Sequence, residues 1–516
     1  MQWCPWRCFE FLRDLLPGER FQSGAMGGAS STLTDEQKEL QNLRSHLGRD
    51  FELLASAFSR LTKSEGPNAI HESKLERCFG MEVGRIKDLP GEESSDLKSL
   101  LENFGSTLTA VAFKPVEGYV SWPGFLKGYD GCCQQNLVST RLRFLLLFVR
   151  SLKSQGKKSS SETSSDLDEN LEGQVSSREF RDVLWLCWLM TFYKRLSNGI
   201  ELPVVEPLVR GAFQDSEKVP LKDLYSWMLA TIPSLGNVFV DYVQYCLFQD
   251  EDTEVKSGLS HLPGHLTPGR LWSLALALKD KTGDTLLSAC LEDSITLLYR
   301  SPVHGKGMNR LWSQVEGYRE AVLFLFSGMS AEDPSKTWLL AAVIPSGLEN
   351  KSNFYGTSNS CLICLDPEFI VLHPTGKEKN YVYSHKTAPG GGYNSRPMPN
   401  GIGFGGSMEN ERIWISDDFS TVTLRHHAVD KTYQAGFILP YQGYAPLCCQ
   451  VLEVEVWGLG SKTAQERMAT FQQREKLFAE QRRKVDLKAF GNWQDSPEKM
   501  MMDMVSNPNR PQREER

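Results

Sequence analysis

The sequence lacks a long apolar run, an excess of basic residues and a high density of cysteine. Its best apolar stretches, 144–149 and 183–193, fall well short of the roughly 20 apolar residues that a membrane-spanning helix needs, so we interpret both as core segments. Lysine and arginine number 57 against 64 aspartate and glutamate, and this net charge of −7 argues against nucleic acid as the main partner. Only 12 cysteines, with no secretory signal at the start of the chain, predict reduced thiols and a cytoplasmic location.

The composition that remains is that of an ordinary globular protein, with 40% hydrophobic and 23% charged residues. It excludes a wholly disordered, collagen-like or coiled-coil chain. The length of 516 residues predicts two to four domains at roughly 150 residues each.

Residues 1–32 show no clear helical or strand period, and we predict a flexible N-terminus. Met26 and the residues after it match the N-myristoylation signal, which places the lipid on Gly27. Two interpretations stay open: a chance match inside a Gly/Ser linker, or a true start at Met26. A single myristoyl chain holds a protein on a membrane only marginally, with a binding constant on the order of 10⁴ per molar.

Apolar residues then recur at spacings of three and four, which predicts one face of an amphipathic helix. The stripe consists of Leu40, Leu43, Leu47, Phe51, Leu54, Phe58 and Leu61.

Residues 168–179 match the oxygen positions of an EF-hand calcium loop, with Gly173 at the sharp turn. Val175 falls where paired loops form a short strand. Calcium requires many hard oxygen ligands, and this spacing wraps the chain around one ion. The candidate ligands are Asp168, Asn170, Glu172, the Gln174 carbonyl, Ser176 and Glu179.

Two features depart from the usual loop. Glu172 stands where Asp or Asn is usual, and a Ser/Lys-rich linker over 153–167 separates the loop from its incoming helix. A calcium-free helix–loop–helix therefore stays open as the alternative. Weaker echoes of the loop at 64–66, 117–121 and 219–221 suggest four units, so we interpret residues 33–255 as an EF-hand-like helical domain.

The second half of the chain has a different pattern of apolar and turn-forming residues. Residues 256–289 form a connecting segment, and we predict helices over 270–277 and 285–299. From residue 321 onward, short apolar runs alternate with Gly, Pro, Asn and Asp, which predicts antiparallel sheets packed as a sandwich. A polar helix over 461–492 and a disordered tail over 493–516 follow.

Four motifs in the second half resemble the TLDc domain, in family order over about residues 290–460. They are Leu297–Ser301 with His304-Gly305, Phe354–Thr357, Gly401–Gly406 followed by Ile413–Ile415, and Leu452–Gly458. The helical first half and the Met-Gly start resemble the branch of that family that includes myristoylated members. The expected fold class is thus α+β, an EF-hand-like helical region followed by a two-sheet TLDc sandwich with flanking helices.

The resemblance implies a non-catalytic module that protects against oxidative damage and binds the vacuolar-type proton ATPase. We therefore expect an adaptor, tuned by calcium, on the cytoplasmic face of a vacuolar, lysosomal or other endomembrane. No catalytic residues carry over from the family. Residues 423–435 depart from the family pattern, because Thr423-Leu424-Arg425-His426-His427 replaces its Ser/Cys-containing stretch.

Two rival functions stay open. One is an enzyme that acts on peroxides or oxidised substrates, and the other is a nucleolar or RNA-associated protein that uses the basic patch at 482–484. The G-x-G-x-x-G pattern at 401–406 leads into a strand and not a helix, so we interpret its glycines as serving strand packing. We interpret Cys361, Cys364 and the His426-His427 pair as structural or surface residues.

Overall fold

Two units make up the part of the chain that the computed structural model describes. This part comprises residues 35–62, 69–87, 95–134, 137–155, 171–196, 199–248, 262–278, 286, 295–386 and 398–493. The predicted N-terminus, its candidate Gly27 and all but the first residue of the predicted tail lie outside it. One unit contains residues 1–293 with 365–371, and the other contains 294–364 with 372–516.

The first unit is helical. Its longer elements are α1 (Asp35–Leu47), α2 (Asp50–Thr62), α3 (Glu72–Phe79), α4 (Ser95–Glu102), α5 (Phe104–Leu108), α6 (Trp122–Cys133), α7 (Val138–Gln155), α8 (Ser177–Phe192), α9 (Glu206–Phe213), α10 (Leu221–Thr231), α11 (Leu235–Phe248) and α12 (Pro268–Ala277). Four short strands accompany them: β1 (Ala69–His71), β2 (Tyr119–Ser121), β3 (Gln174–Ser176) and β4 (Lys218–Pro220).

The apolar stripe over residues 40–61 spans two helices where the sequence predicts one. Gly48 has a φ of +54° at the break between α1 and α2. That left-handed conformation ends a helix and is easiest for glycine. The stripe still faces the core, since Leu47, Phe51, Leu54 and Phe58 are buried.

The four short strands form two antiparallel pairs, β1 with β2 and β3 with β4. Val175 pairs with Val219, so the strand residue of the candidate calcium loop pairs with the echo of the loop pattern at 219–221. Ile70 pairs with Val120 in the same way. The repeating loop pattern of the sequence thus corresponds to two strand pairs, each followed by helices.

The second unit contains the longer strands and three of the described helices, although residues 365–371, at the end of the ninth strand and in most of the tenth, are grouped with the first unit. The strands are β5 (Thr296–Arg300), β6 (Val322–Ser330), β7 (Thr337–Ile344), β8 (Lys351–Tyr355), β9 (Cys361–Asp366), β10 (Ile370–Leu372), β11 (Val382–His385), β12 (Gly401–Phe404), β13 (Ile413–Ser416), β14 (Thr421–Leu424) and β15 (Leu447–Gly458). The helices are α13 (Ser301–His304), α14 (Met308–Val315) and α15 (Lys462–Trp493).

The prediction of a two-sheet sandwich is wrong, because these strands join one eleven-stranded antiparallel sheet that curls into a half-barrel. The reason lies in β15. One of its edges pairs with β6, while the other pairs first with β14 and then with β5. Register shifts at 451–453 and 456–457 allow this change of partner. Such bulges increase the local twist, so a long strand bends and keeps one sheet continuous.

The helix predicted over 285–299 is also wrong at its described end, where Thr296–Arg300 forms β5. A strand of five residues is too short to show a clear period of two in the sequence. The predicted helix at 270–277 is present as part of α12, and the polar helix after residue 461 is present as α15.

The glycines at 405 and 406 form a turn around a buried carboxylate. Asp430 Oδ1 accepts hydrogen bonds from the N–H groups of Gly406 at 2.9 Å and Thr432 at 2.8 Å. Asp430 Oδ2 lies 3.3 Å from Arg412 Nη1, and both side chains are buried. Gly405 has a φ of +66°, and a Cβ there would lie 2.5 Å from Asp430 Oδ2. These glycines serve close packing, as the sequence predicts, and the protein's own carboxylate fills their turn.

We expect Gly405→Ala to lower the free energy of unfolding by about 2–4 kcal/mol, because it combines backbone strain with a clash against a buried charge. Chemical denaturation of the full chain measures the change. Gly443→Ala is the matched control, since a Cβ at Gly443 meets no atom within 4 Å. Equal stability of the two variants would contradict the role assigned to this turn.

Candidate functional site

The candidate calcium loop lies between α7 and α8. Asp168 and Asn170 are outside the described residues, so the structure describes only the second half of the proposed ligand set. Gly173 has a φ of +108°, as the sharp turn of such a loop requires. Glu172 is exposed, and its carbonyl accepts a hydrogen bond from Arg150 Nη1 at 3.3 Å.

Ser176 and Glu179 form a capping box at the start of α8. Glu179 Oε2 accepts hydrogen bonds from Ser176 N at 2.8 Å and from Ser176 Oγ at 3.0 Å. In return, Ser176 Oγ accepts a hydrogen bond from Glu179 N at 3.3 Å. These contacts satisfy backbone N–H groups that a helix leaves open at its first turn.

The other oxygen of this carboxylate faces a lysine from the preceding helix. Lys153 Nζ lies 3.2 Å from Glu179 Oε1. Burial alone raises the pKa of Glu179, but the Ser176 hydrogen bonds and the Lys153 charge outweigh it and hold that pKa below its ordinary value. The helix α7 extends to Gln155, and thus into the linker predicted over 153–167. Its Lys153 therefore lies beside the loop.

The described half of the loop fits calcium in its backbone and in its donor atoms. Residues 174–176 of the loop pair with β4, and Glu179 supplies the carboxylate that such loops use with both oxygens. Both oxygens are, however, already engaged by Ser176 and Lys153. Calcium binding at this position thus requires Glu179 to exchange at least its lysine partner.

The structure adds Asp182, which the sequence analysis missed, one helical turn after Glu179. Its side chain is 1% exposed, and its Oδ2 has no hydrogen-bond partner within the described part of the chain. Burial raises its pKa to about 6, although the positive charges of Lys153, Arg178 and Arg181 act in the opposite direction. The sequence did contain a signal for this residue, because Asp182 is an acidic residue between Phe180 and the mostly apolar run over 183–192.

The second unit carries an exposed aromatic surface, made of His426, Phe437 and Tyr444. Tyr444 is 83% exposed and Phe437 is 40% exposed. The His426 ring stacks on Tyr444, with ring centroids 4.4 Å apart, and contacts Phe437 edge-on at 5.7 Å. The sequence analysis assigned His426 and His427 a surface role but missed the two aromatic residues, which follow His426 by 11 and 18 residues without any regular spacing.

Hydrogen bonds fix the loops beneath this surface. Gln442 Nε2 donates to the Arg425 carbonyl at 2.8 Å, and Gln442 Oε1 accepts from Ile438 N at 3.0 Å. Arg412 donates to the carbonyl of Gln434 at 2.7 Å and to that of Gly436. The aromatic surface therefore rests on a hydrogen-bonded frame.

The described side-chain contacts of α15 with the rest of its unit lie in the first third of the helix. Phe471 packs against Gly317, and Gln472 Nε2 donates to the Gln314 carbonyl at 3.3 Å. Further along, Leu477 and Phe478 are more than half exposed. None of the described helices is both long and apolar enough to cross a membrane.

Burial disfavours thiolate formation at two of the described cysteines. Burial raises the pKa of Cys449 to about 11 and that of Cys246 to about 12. A thiol nucleophile needs the opposite shift, because the thiolate is the reactive form.

We expect Asp182→Asn to stabilise the protein at neutral pH. Below the ordinary Asp pKa of 3.8 the carboxyl is neutral in both the folded and unfolded states, whereas above about 6 the folded state must bury its charge. The stability gain should therefore grow by about 1–2 kcal/mol between pH 4.5 and 7.5. Denaturant titration at both pH values measures it. The exposed Asp223→Asn is the control, and a gain independent of pH would contradict the assignment.

Comparison with known proteins identifies the second unit. Residues 280–460 match the family model of the TLDc domain. The chain is also 22% identical over 165 residues to the MTOR-associated protein MEAK7 of Mus musculus, which is 32% of each chain. The Xenopus laevis protein of the same name is 23% identical over 171 residues, and the Homo sapiens protein is 23% identical over 170. The matched part spans about a third of the length of these relatives.

Proposed function

We propose that this chain, which contains a TLDc domain over residues 280–460, is a non-enzymatic adaptor that binds a protein partner through that domain. By family resemblance the partner is the vacuolar-type proton ATPase, and the process is protection against oxidative damage. Calcium at the loop over 168–179 tunes the adaptor. A myristoyl group on Gly27 brings it to the cytoplasmic face of an endomembrane.

The aromatic surface is the observation that carries the proposal. Tyrosine is enriched among the residues that dominate binding energy at protein interfaces, because it buries a large area at little entropic cost. Tyr444 and Phe437 offer this area on fixed loops. The raised thiol pKa values disfavour peroxide chemistry at Cys246 and at Cys449.

The name of the relatives supports a second candidate partner. Each of these proteins is called MTOR-associated, so MTOR is the alternative to the proton pump. The relatives match only about a third of their length, and the partner is therefore a matter for direct test.

We expect the double variant Phe437→Ala/Tyr444→Ala to reduce pump binding by at least about tenfold, as loss of a hot spot does. The full-length chain is incubated with detergent-solubilised endomembranes, and co-purified pump subunits are quantified. Val303→Ala, at a 66% exposed apolar residue of the same unit, is the control and should bind normally. Absence of pump subunits with the wild type contradicts the pump assignment. Recovery of MTOR instead supports the second candidate.

We expect intact-mass measurement of the protein from its native cells to show a chain that begins at Gly27 with one myristoyl group added. Transferases of this class require glycine after the initiator methionine. Gly27→Ala should abolish the added mass, whereas Gly28→Ala should retain it. Unmodified protein that begins at Met1 contradicts the lipid assignment.

A further inference from the structure

We propose that a cavity in the second unit binds a monocarboxylate that carries an apolar body. The cavity has a volume of about 520 Å³, and residues of α14, of the loop after β7 and of the first third of α15 line it. Small-ligand sites typically have volumes of about 300–1,000 Å³ and combine apolar walls with a few polar groups. The cavity shares no residue with the aromatic surface or with the candidate calcium loop, and the inference depends on neither.

Trp312 provides the first observation that points to a ligand. Its side chain lines the cavity and is 5% exposed. The indole Nε1 is buried and has no hydrogen-bond partner within the described part of the chain. A buried donor without an acceptor is unfavourable, and a ligand oxygen that accepts from it would remove this cost. The cavity wall therefore contains a donor that a bound acceptor can satisfy.

Two cations on the cavity wall select a negatively charged acceptor. Lys386 is partly exposed, Arg319 is exposed, and neither forms an ion pair among the residues that the structure describes. Asn350 fixes the backbone of Lys386, since its Oδ1 accepts from Lys386 N at 2.9 Å and its Nδ2 donates to the Lys386 carbonyl at 3.3 Å. Together with Trp312, the two cations offer three donor groups, and charged acceptors form the strongest hydrogen bonds with such groups.

The acidic residues of the wall limit the ligand to one negative charge. Glu349 is paired with Lys351, whose Nζ lies 2.6 Å from Glu349 Oε2. Glu316 is exposed and has no ion-pair partner in the described structure. The unpaired charges on the wall are then two positive, from Lys386 and Arg319, and one negative, from Glu316. The remaining single positive charge matches one carboxylate better than a phosphate group, which carries about −1.5 to −2 at pH 7.

The rest of the wall provides apolar contact area. Leu348 and Tyr318 are buried, and Phe471 of α15 packs against Gly317. A Cβ at Gly317 would lie 2.5 Å from Phe471 Cδ1, so the ring lies directly on the turn after α14. An aliphatic or aromatic body can pack against these side chains while its carboxylate binds the donors.

Nuclear magnetic resonance of the full chain, isotope-labelled at tryptophan, tests the inference. Trp312→Phe removes one indole signal and thereby assigns it, and Trp312→Tyr replaces that variant if circular dichroism shows that it does not fold. Decanoate, kept below its micelle concentration, should shift the Trp312 signal. Decanol has the same apolar body without the charge and should not shift it, and neither should inorganic phosphate. An equal shift with decanol overturns the selection for a carboxylate.

Acetyl-phenylalanine distinguishes two sources of such a carboxylate. It imitates the C-terminus of a peptide, whereas decanoate represents a free aliphatic acid. A Trp312 shift with decanoate supports a free acid as the ligand, and a shift with acetyl-phenylalanine alone supports a peptide C-terminus. Absence of a shift with both compounds overturns the inference.

A charge variant tests the role of the cations. Lys386→Met should weaken decanoate binding about 3- to 10-fold, because it removes one of the two positive charges that face the ligand. Lys379→Met is the matched control, since it removes the same charge from an exposed lysine of the same unit outside the cavity. Its affinity should stay within about twofold of the wild type. Lys386→Gln replaces Lys386→Met if the latter does not fold. Equal affinity of the wild type and the Lys386 variant overturns the assigned site.

Discussion

The buried pair of Arg412 and Asp430 is the constraint on which the second unit depends. A carboxylate taken out of water is tolerated only when several donors surround it, and here two backbone N–H groups and a guanidinium do so. This requirement explains the glycine turn at 405–406, because side chains there would occupy the place of the carboxylate. It also extends outward, since Arg412 holds the carbonyls of Gln434 and Gly436. Phe437 is the residue after Gly436, so the buried Arg412 side chain also fixes the backbone that carries part of the aromatic surface.

In the helical unit, by contrast, the carboxylates near the candidate calcium loop are only partly satisfied by hydrogen bonds. Around the candidate calcium loop, Asp182 is buried with an unpartnered oxygen, and Glu179 shares its two oxygens between a helix cap and a lysine. A fully satisfied network specifies one arrangement, whereas a partly satisfied one can change partners at small cost. The contrast matches the proposed roles, because a docking surface gains from a fixed frame and an ion-responsive loop gains from contacts that can exchange.

Much of this organisation could be predicted from the sequence. The spacing of oxygen ligands and of Val175 located a strand pair, since loop geometry depends on a few adjacent residues. The glycines at 401–406 were correctly interpreted because a strand follows them. The errors concern strand pairing and tertiary contacts, which a short stretch of sequence does not determine. A single sheet replaces the sandwich because β15 changes partners along its length, and Tyr444 contacts His426 only because the chain between them folds back. Gly48 was a local signal for the end of a helix. It was overlooked because the apolar residues keep their helical spacing on both sides of the break.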